Sequence, residues 1–368
     1  MTAWLQLPCY GLHMAALLVI NALMKTYTDK SPDTYHSVSI DSLPLPVILV
    51  SNQSKLLAAN CKARHVFGTF KEGRDISTMI SNSRFLTTLH EVAESGVGCD
   101  CEIVRKKPSK RRFEANMSPF NNSSGQGVFI VFHETTAAFE AEKMRSSFVA
   151  DVSHELRSPL TTMIATIETL KGSAGSKPDI RARFTDLLAF ETNRMHRIVD
   201  DLLSLSATES TEHIMPENPV NLIPIVNSVA KVLALKSDSK DMTIKLELDS
   251  NLPDILGDKD ALYQVIYNLT DNAIKYGPAG TAVTLTATAW NNTVMFATLN
   301  FGPQIRKKHI PRLTERFYRA DKSRSRDLGG TGLGLAIVKH IVNRHLGKLE
   351  ITSSEEEGTV FSVTFPKV

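Results

Sequence analysis

A short apolar run at 46–50, a polar break at Ser51-Asn52-Gln53-Ser54 and a second run at 56–59 predict a strand, a turn and a returning strand. Helical spacing comes next at 62–67, 76–80 and 85–95, and then three more strands at 101–105, 113–117 and 128–133. From Thr136 the period lengthens. Val149, Val152, Leu156, Leu160, Met163, Ile167 and Leu170 fall three or four apart, a heptad seam with one irregular step between His154 and Pro159. Pro159 removes a backbone donor and strains the helix at that step. A loop at 172–178 leads to a second seam, Phe184, Leu188, Glu191, Met195, Ile198, Leu202 and Leu205, in which Glu191 is the polar member. Two helices with seams this narrow cannot bury themselves. Pairing two such hairpins makes a four-helix bundle, and hence a homodimer. An interaction coiled coil without chemistry is the plainer alternative.

The remainder reads as an α/β sandwich. Strands are expected at 243–248, 283–290, 293–299, 348–352 and 359–365, and helices at 258–276, with Asp258 as N-cap, and at 331–345. Residues 301–330 are long, basic and irregular, the pattern of a functional lid. The fold class is therefore multidomain α+β.

With 368 residues the chain has room for two to four domains. A net charge of +3 gives no argument for direct nucleic-acid binding. Four scattered cysteines fit reduced thiols better than a disulfide scaffold or a zinc site. The first 24 residues carry no charged side chain and are densest at Met14-Ala15-Ala16-Leu17-Leu18-Val19-Ile20. This predicts a membrane anchor, and Lys25 and Lys30 directly behind it place the rest of the chain in the cytoplasm. A buried or interfacial helix is the alternative.

Three groups of residues carry candidate chemistry. In Ser153-His154-Glu155-Leu156-Arg157-Ser158-Pro159 an imidazole, largely neutral at neutral pH and so able to attack, stands beside a carboxylate that can hold its other ring nitrogen. Asn268 and Asn272 are four apart on one helix face, and an amide oxygen is a hard, neutral ligand suited to Mg²⁺. Gly330-Thr331-Gly332-Leu333-Gly334 leads into a helix, where backbone amides can approach phosphate. No Gly-Lys-Ser/Thr comes after it, which disfavours a P-loop.

In that order the three groups resemble the H, N and second G boxes of bacterial sensor histidine kinases. The stretch Ile310-Pro311-Arg312-Leu313-Thr314-Glu315-Arg316-Phe317-Tyr318-Arg319 and the run to His345 look most like phosphate-regulon sensor kinases. The resemblance implies ATP and Mg²⁺ as cofactors, a dimeric phosphoacceptor bundle and an ATP-binding domain of the GHKL (Bergerat) type. It makes His154 the phosphoacceptor and Glu155 its acid/base partner. It assigns Asn272 to Mg²⁺, Lys275 to a phosphate and Tyr276 to the adenine side. Asn268, Gly330, Thr331, Gly332, Leu333 and Gly334 fall in its nucleotide boxes, and Arg319 and Lys322 are candidates to meet the triphosphate. It further implies a response-regulator receiver domain as partner and a reverse phosphatase activity, for which Ser158 stands where a Thr or Asn often positions water. The strand and helix order before Thr136 resembles a PAS sensory domain. The implied organisation is an anchor and linker at 1–36, a PAS-like domain at 37–135, a dimerisation and phosphotransfer domain at 136–212 and an ATP-binding domain at 213–368, held at the inner membrane with the catalytic part cytoplasmic.

One box departs from the family pattern. Where Asp-x-Gly-x-Gly-Ile is usual, the chain has Asn300-Phe301-Gly302-Pro303-Gln304-Ile305. Asn300 can accept from the adenine amino group only as a neutral amide. Asn300 and Gln304 are the support for the rival reading, a non-catalytic dimeric sensor scaffold with a degenerate nucleotide site.

Overall fold

The computed structural model describes residues 40–69, 71–106, 109–122, 125–172, 176–321 and 330–368. The expected anchor at 1–36, and Lys322, lie outside the described residues. No helix among the described residues is long and apolar enough to cross a membrane. The chain divides into two units, Met1–Ser146 and Ser147–Val368.

The first unit is built on an antiparallel sheet of five strands: β1 (Val47–Ser51), β2 (Leu56–Ala59), β3 (Cys99–Arg105), β4 (Arg111–Asn122) and β5 (Gly125–Glu134). Their order across the sheet is β2-β1-β5-β4-β3. Between β2 and β3 run α1 (Cys61–Phe67) and α2 (Ser83–Ser95). Each helix starts on an asparagine: Asn60 accepts from the Ala63 N–H at 2.8 Å and Asn82 from the Phe85 N–H at 3.0 Å. Asn60 is buried and also accepts from the Val47 N–H and donates to the Leu45 carbonyl, so one side chain ties the helix start to the sheet. Phe85 and Leu89 of α2 meet Phe113, Ile130 and Phe132 of the sheet in the core. Cys101 is buried there, and burial pushes its thiol up to about 11. Cys61, Cys99 and Cys101 are free thiols. β4 and β5 are longer than their apolar runs, because their ten-residue pairing extends past the buried positions.

The long helix α3 (Thr136–Lys171) opens where Thr136 bonds the Arg112 backbone, and Arg112 also lies over the Phe139 ring at 3.5 Å. In the second unit α3 is followed by α4 (Pro178–Ser210), with proline at its N-terminus. The α4 seam turns inward: Glu191, Ile198 and Leu205 are buried. The α3 seam does not: Val149, Leu160 and Ile167 stay exposed, and only Pro159 and Thr166 of this helix are buried.

A two-stranded sheet joins β6 (Pro219–Val220) to β8 (Ile255–Leu256). A second five-stranded sheet comprises β7 (Thr243–Leu248), β9 (Ala282–Trp290), β10 (Thr293–Asn300), β11 (Lys348–Ser354) and β12 (Gly358–Pro366). Its order is β11-β12-β10-β9-β7. β7 and β9 pair in parallel and the other pairs are antiparallel. Three helices supply the rest of the core: α5 (Leu222–Asp238), α6 (Lys259–Tyr276) and α7 (Gly334–Arg344). Asp258 caps α6, accepting from the Asp260 and Ala261 N–H groups.

The hydrophobic pattern does not predict α5. Its apolar residues begin as the contiguous run Leu222-Ile223-Pro224-Ile225-Val226, which hides the helical period, and Pro224 reads as a breaker. Proline is tolerated in a first turn, where its missing N–H has no intrahelical partner, and Asn221 caps the helix by accepting from the Ile223 N–H at 3.0 Å. α7 starts at Gly334 rather than at 331, so 330–333 form a turn ahead of the helix.

Candidate nucleotide and phosphoacceptor site

α6 turns one face toward a cavity of about 820 Å³. Asn268, Asn272, Lys275 and Tyr276 line it, and four-residue and three-residue steps are what place side chains on one helix face. A second wall is the end of β10 and the turn beyond it, with Asn300, Gly302 and Gln304. A third is the glycine-rich turn, where Gly330, Thr331, Gly332 and Gly334 line the cavity and Leu333 is buried beneath. Tyr318 and Arg319, from the segment expected to be a lid, also line it.

Two glycines are required by contact. A Cβ on Gly302 would lie 2.4 Å from the Tyr276 carbonyl oxygen and 2.8 Å from Asn300 Nδ2, so the β10 wall can approach the end of α6 only without a side chain there. Gly332 has φ of +78°, and a Cβ would lie 2.9 Å from the Phe317 backbone. The Phe317 N–H donates to the Gly332 carbonyl at 2.9 Å, which pins the lid segment to the glycine turn. This segment is less irregular than its composition suggests: a 3₁₀ turn forms at Ile310–Arg312, His309 Nδ1 meets the Tyr318 hydroxyl at 2.6 Å, and Arg312 lies over the Tyr318 ring.

A fourth wall has no counterpart among the expected site residues. Arg197, Asp200 and Asp201 of α4 also line the cavity. Thr331 donates to Asp201 at 2.5 Å. Burial holds the Asp201 carboxyl above its ordinary range, and the Thr331 hydrogen bond and the Lys275 and Arg197 charges pull it back. Burial likewise lowers Lys275, against the attraction of Asp271. Asp271 is also paired with Lys236. The lining is mixed in charge: Arg197, Lys236, Lys275, Arg306 and Arg319 can meet an anion, and Asp200, Asp201, Asp271 and Asp321 stand among them. Along a helix, Arg197, Asp200 and Asp201 read as an ordinary solvated face, so no local signal marks them.

The Ser-His-Glu run sits on the same unit. His154 and Ser158 are exposed on α3, outside the cavity lining. Glu155 reaches it indirectly: its Oε2 accepts from Arg194 at 2.9 Å and from Arg319, a cavity residue, at 3.1 Å. Arg194 is buried on α4 and lies 3.6 Å from Glu191, which explains the polar member of that seam. Pro159 lacks the N–H that would meet the Glu155 backbone carbonyl, so the helix lacks one ladder hydrogen bond at this residue. Further along α4, Glu209 pairs with Arg316, Glu212 with His340 at 3.0 Å, and Ser204 with Gln264 at 2.6 Å. The hairpin thus grips the lid segment, α6 and α7 at separate points. Of the expected nucleotide residues Lys322 alone lies outside the described residues.

For Mg²⁺ the donor set is sparse. Asn272 offers one amide oxygen, and among the described residues no cluster of three His, Cys, Asp or Glu could hold a metal. That fits an ion that keeps its waters and arrives with a polyphosphate.

A helical hairpin bearing an exposed histidine, joined to an α/β sandwich with an anion-accepting cavity, defines the class: a phosphoacceptor module with its nucleotide domain. Residues 144–211 match the His Kinase A (phospho-acceptor) domain. Residues 257–368 match the histidine kinase-, DNA gyrase B- and HSP90-like ATPase family. The chain is 36% identical over 261 residues to sensor histidine kinase WalK of Bacillus subtilis, covering 68% of this chain and 42% of WalK. It is 30% identical over 322 residues to the phosphate regulon sensor protein PhoR of Pseudomonas aeruginosa, covering 87% of this chain and 71% of PhoR. The chain thus spans less than half the length of WalK. It belongs to the two-component sensor histidine kinases. The fold is also similar to that of histidine kinase ThkA, solved in complex with response regulator protein TrrA, with a TM-score of 0.51 and 23% identity over 91% of this chain and 99% of that one.

Proposed function

We propose that this protein is a sensor histidine kinase that transfers the γ-phosphoryl group of ATP to His154 and passes it to the receiver aspartate of a response regulator. The observation that carries this reading is the pair Glu155–Arg319 at 3.1 Å, which connects the carboxylate beside an exposed histidine to the rim of the anion-accepting cavity. ATP lies with its base against Tyr276, Asn300 and Gly302 and its phosphates toward Lys275 and the 330–334 turn. Asn272 is the residue that would hold Mg²⁺, whose charge offsets that developing on the phosphates. Attack by the neutral His154 imidazole forms the nitrogen–phosphorus bond as ADP leaves. Glu155 then takes up the proton of the other ring nitrogen, which requires that its carboxylate turn from both Arg194 and Arg319. Arg319 lines the cavity and is placed to meet the triphosphate.

The finer assignments belong to the same reading. Two α3/α4 hairpins pair as a four-helix bundle in a homodimer. The receiver domain docks on the bundle near His154, and Ser158, one turn away, positions water in the reverse reaction. The first unit is a PAS-type sensor, supported by two strands, helices and a three-strand meander in one antiparallel sheet. Segment boundaries at 1–36, 37–135, 136–212 and 213–368 go with this reading, as does attachment at the inner membrane through the uncharged N-terminal stretch. The scaffold alternative is disfavoured, since His154, Asn272 and the Gly330-Thr331-Gly332 run are all present.

The test is incubation with γ-labelled ATP. Wild-type protein acquires acid-labile, base-stable label, and His154→Gln acquires none while binding nucleotide and dimerising normally. Label retained in the variant, or no label in the wild type, rejects the proposal.

A further inference from the structure

α6 ends without a left-handed cap. Gly277 has φ of −66° and ψ of 145°, and its N–H meets only the Ala273 carbonyl. The last carbonyls of the helix therefore need donors from elsewhere. Lys240 supplies them: its Nζ lies 2.8 Å from the Ile274 carbonyl, 2.7 Å from that of Lys275 and 2.9 Å from that of Gly277. An ammonium with three donors is matched to three carbonyls at the negative end of a helix dipole.

The neighbouring residues form a clasp around this contact. Met242 is buried and packs so closely that a Cβ on Gly277 would lie 2.4 Å from its Cε. The Gly280 N–H donates to the Asp241 carbonyl at 2.7 Å, and the Thr243 N–H to the Thr281 carbonyl at 3.2 Å. Asp241 takes a left-handed φ of 53° to turn Lys240 and Met242 onto the same helix end. β7 and β9 then begin their parallel pairing at Thr243 and Ala282.

The clasped helix end is also a cavity wall. Lys275 and Tyr276 line the cavity, and the Tyr276 carbonyl abuts Gly302, whose neighbour Asn300 forms the opposite wall. We infer that Lys240, which lines no part of the cavity itself, is a positioning residue for nucleotide binding: it fixes the end of α6 so that Lys275 and Tyr276 face the β10 wall at the spacing a nucleotide needs. The inference rests on the ATP reading above. A displaced wall loses hydrogen bonds to the ligand, each of which contributes on the order of 1 kcal/mol.

The experiment compares full-length wild type with Lys240→Met, which keeps the stem and loses the donors, and Lys240→Arg, which restores charge and donors. Lys231→Met, on the exposed side of α5, controls for net charge. Affinity for a non-hydrolysable ATP analogue and the KM and kcat of autophosphorylation are measured below the unfolding transition of each. The expected result for Lys240→Met is affinity weaker by about tenfold and KM raised by as much, kcat within about twofold, and partial recovery in Lys240→Arg. If Lys240→Met loses its unfolding transition, Lys240→Gln is read in its place with the same expectation. A folded variant with wild-type affinity, or one in which kcat falls at constant KM, overturns the inference and leaves the ATP reading standing. Absence of analogue binding in the wild type rejects both.

Discussion

Asn300 is 3% exposed at the end of β10, paired in register with Thr359, and its side chain borders the cavity beside Gly302. A neutral amide in that place can accept from an amino group or donate to a carbonyl, so it discriminates weakly between the two. Asn300→Asp replaces it with a charged acceptor. Bonds to charged groups contribute about 1.5–3 kcal/mol against about 0.5–1.5 for neutral ones, a gain near 1 kcal/mol, or several-fold in affinity. ATP therefore binds several-fold more tightly to Asn300→Asp, and the ATP-to-GTP affinity ratio rises because a guanine carbonyl would face a carboxylate. Titration of both proteins with both nucleotides checks this. An unchanged ATP affinity would place the base elsewhere in the cavity.

At the scale of elements, α6 is held at both ends by side chains from distant segments: Lys240 at its C-terminus and, at its N-terminus, His345 just past α7. His345 is 4% exposed, donates from Nδ1 to the Ile341 carbonyl at 2.7 Å, and accepts at Nε2 from the Asp258 N–H at 3.0 Å. Only the neutral ring can do both. Burial lowers its pKa, outweighing the bond to Ile341. Burial also pushes the Asp258 carboxyl up, but the Ala261 N–H and Arg344 outweigh it and hold it below the ordinary carboxylate range. A histidine whose folded pKa lies below its unfolded value, about 6.5, stabilises the fold above that value and loses this contribution as pH falls through the folded one. The thermal midpoint of the second unit therefore drops as the pH falls below about 6.5. His345→Leu flattens that slope and lowers stability at pH 7 by about 1 kcal/mol, because the half-buried Asp258 N–H loses its acceptor. Unfolding scans of the two proteins across this range test both statements; equal slopes would remove His345 as the source.

For the whole molecule the governing fact is what α3 and α4 leave uncovered. Leu160 is 47% exposed, Ile164 51%, Val199 44% and Leu203 66%, on a hairpin whose inward seam on α4 is packed. In the proposed homodimer a two-fold axis buries each of these positions twice. Burying one leucine contributes about 2 kcal/mol, so losing Leu203 from both copies removes about 4 kcal/mol, roughly a thousandfold in the dimer Kd. Leu203→Glu accordingly gives monomers at concentrations where the wild type sediments as a dimer. A dimer of unchanged strength would show that this face is not the interface.

What the sequence determined by itself is local. Short apolar runs and alternation marked the strands of the two five-stranded sheets, three-four spacing marked α3 and α4, Asp258 announced a helix start, and the order of the His, Asn and Gly groups carried the resemblance to sensor histidine kinases. α5 was illegible because contiguous apolar residues and Pro224 masked its period, although Asn221 in front of them was a usable cap signal. The walls of the cavity that come from far away were illegible for a different reason. Thr331 meets Asp201 across 130 positions, Arg319 meets Glu155 across 164 and Lys240 reaches the end of α6 across 34 to 37. Spacing within a helix is set by its 3.6-residue turn and is written in the chain. Which charged side chain meets which across such separations is set by how the helices pack on the sheet, and only the tertiary structure decided that Arg319 rests on Glu155 and that Asp201 stands at the glycine-rich turn.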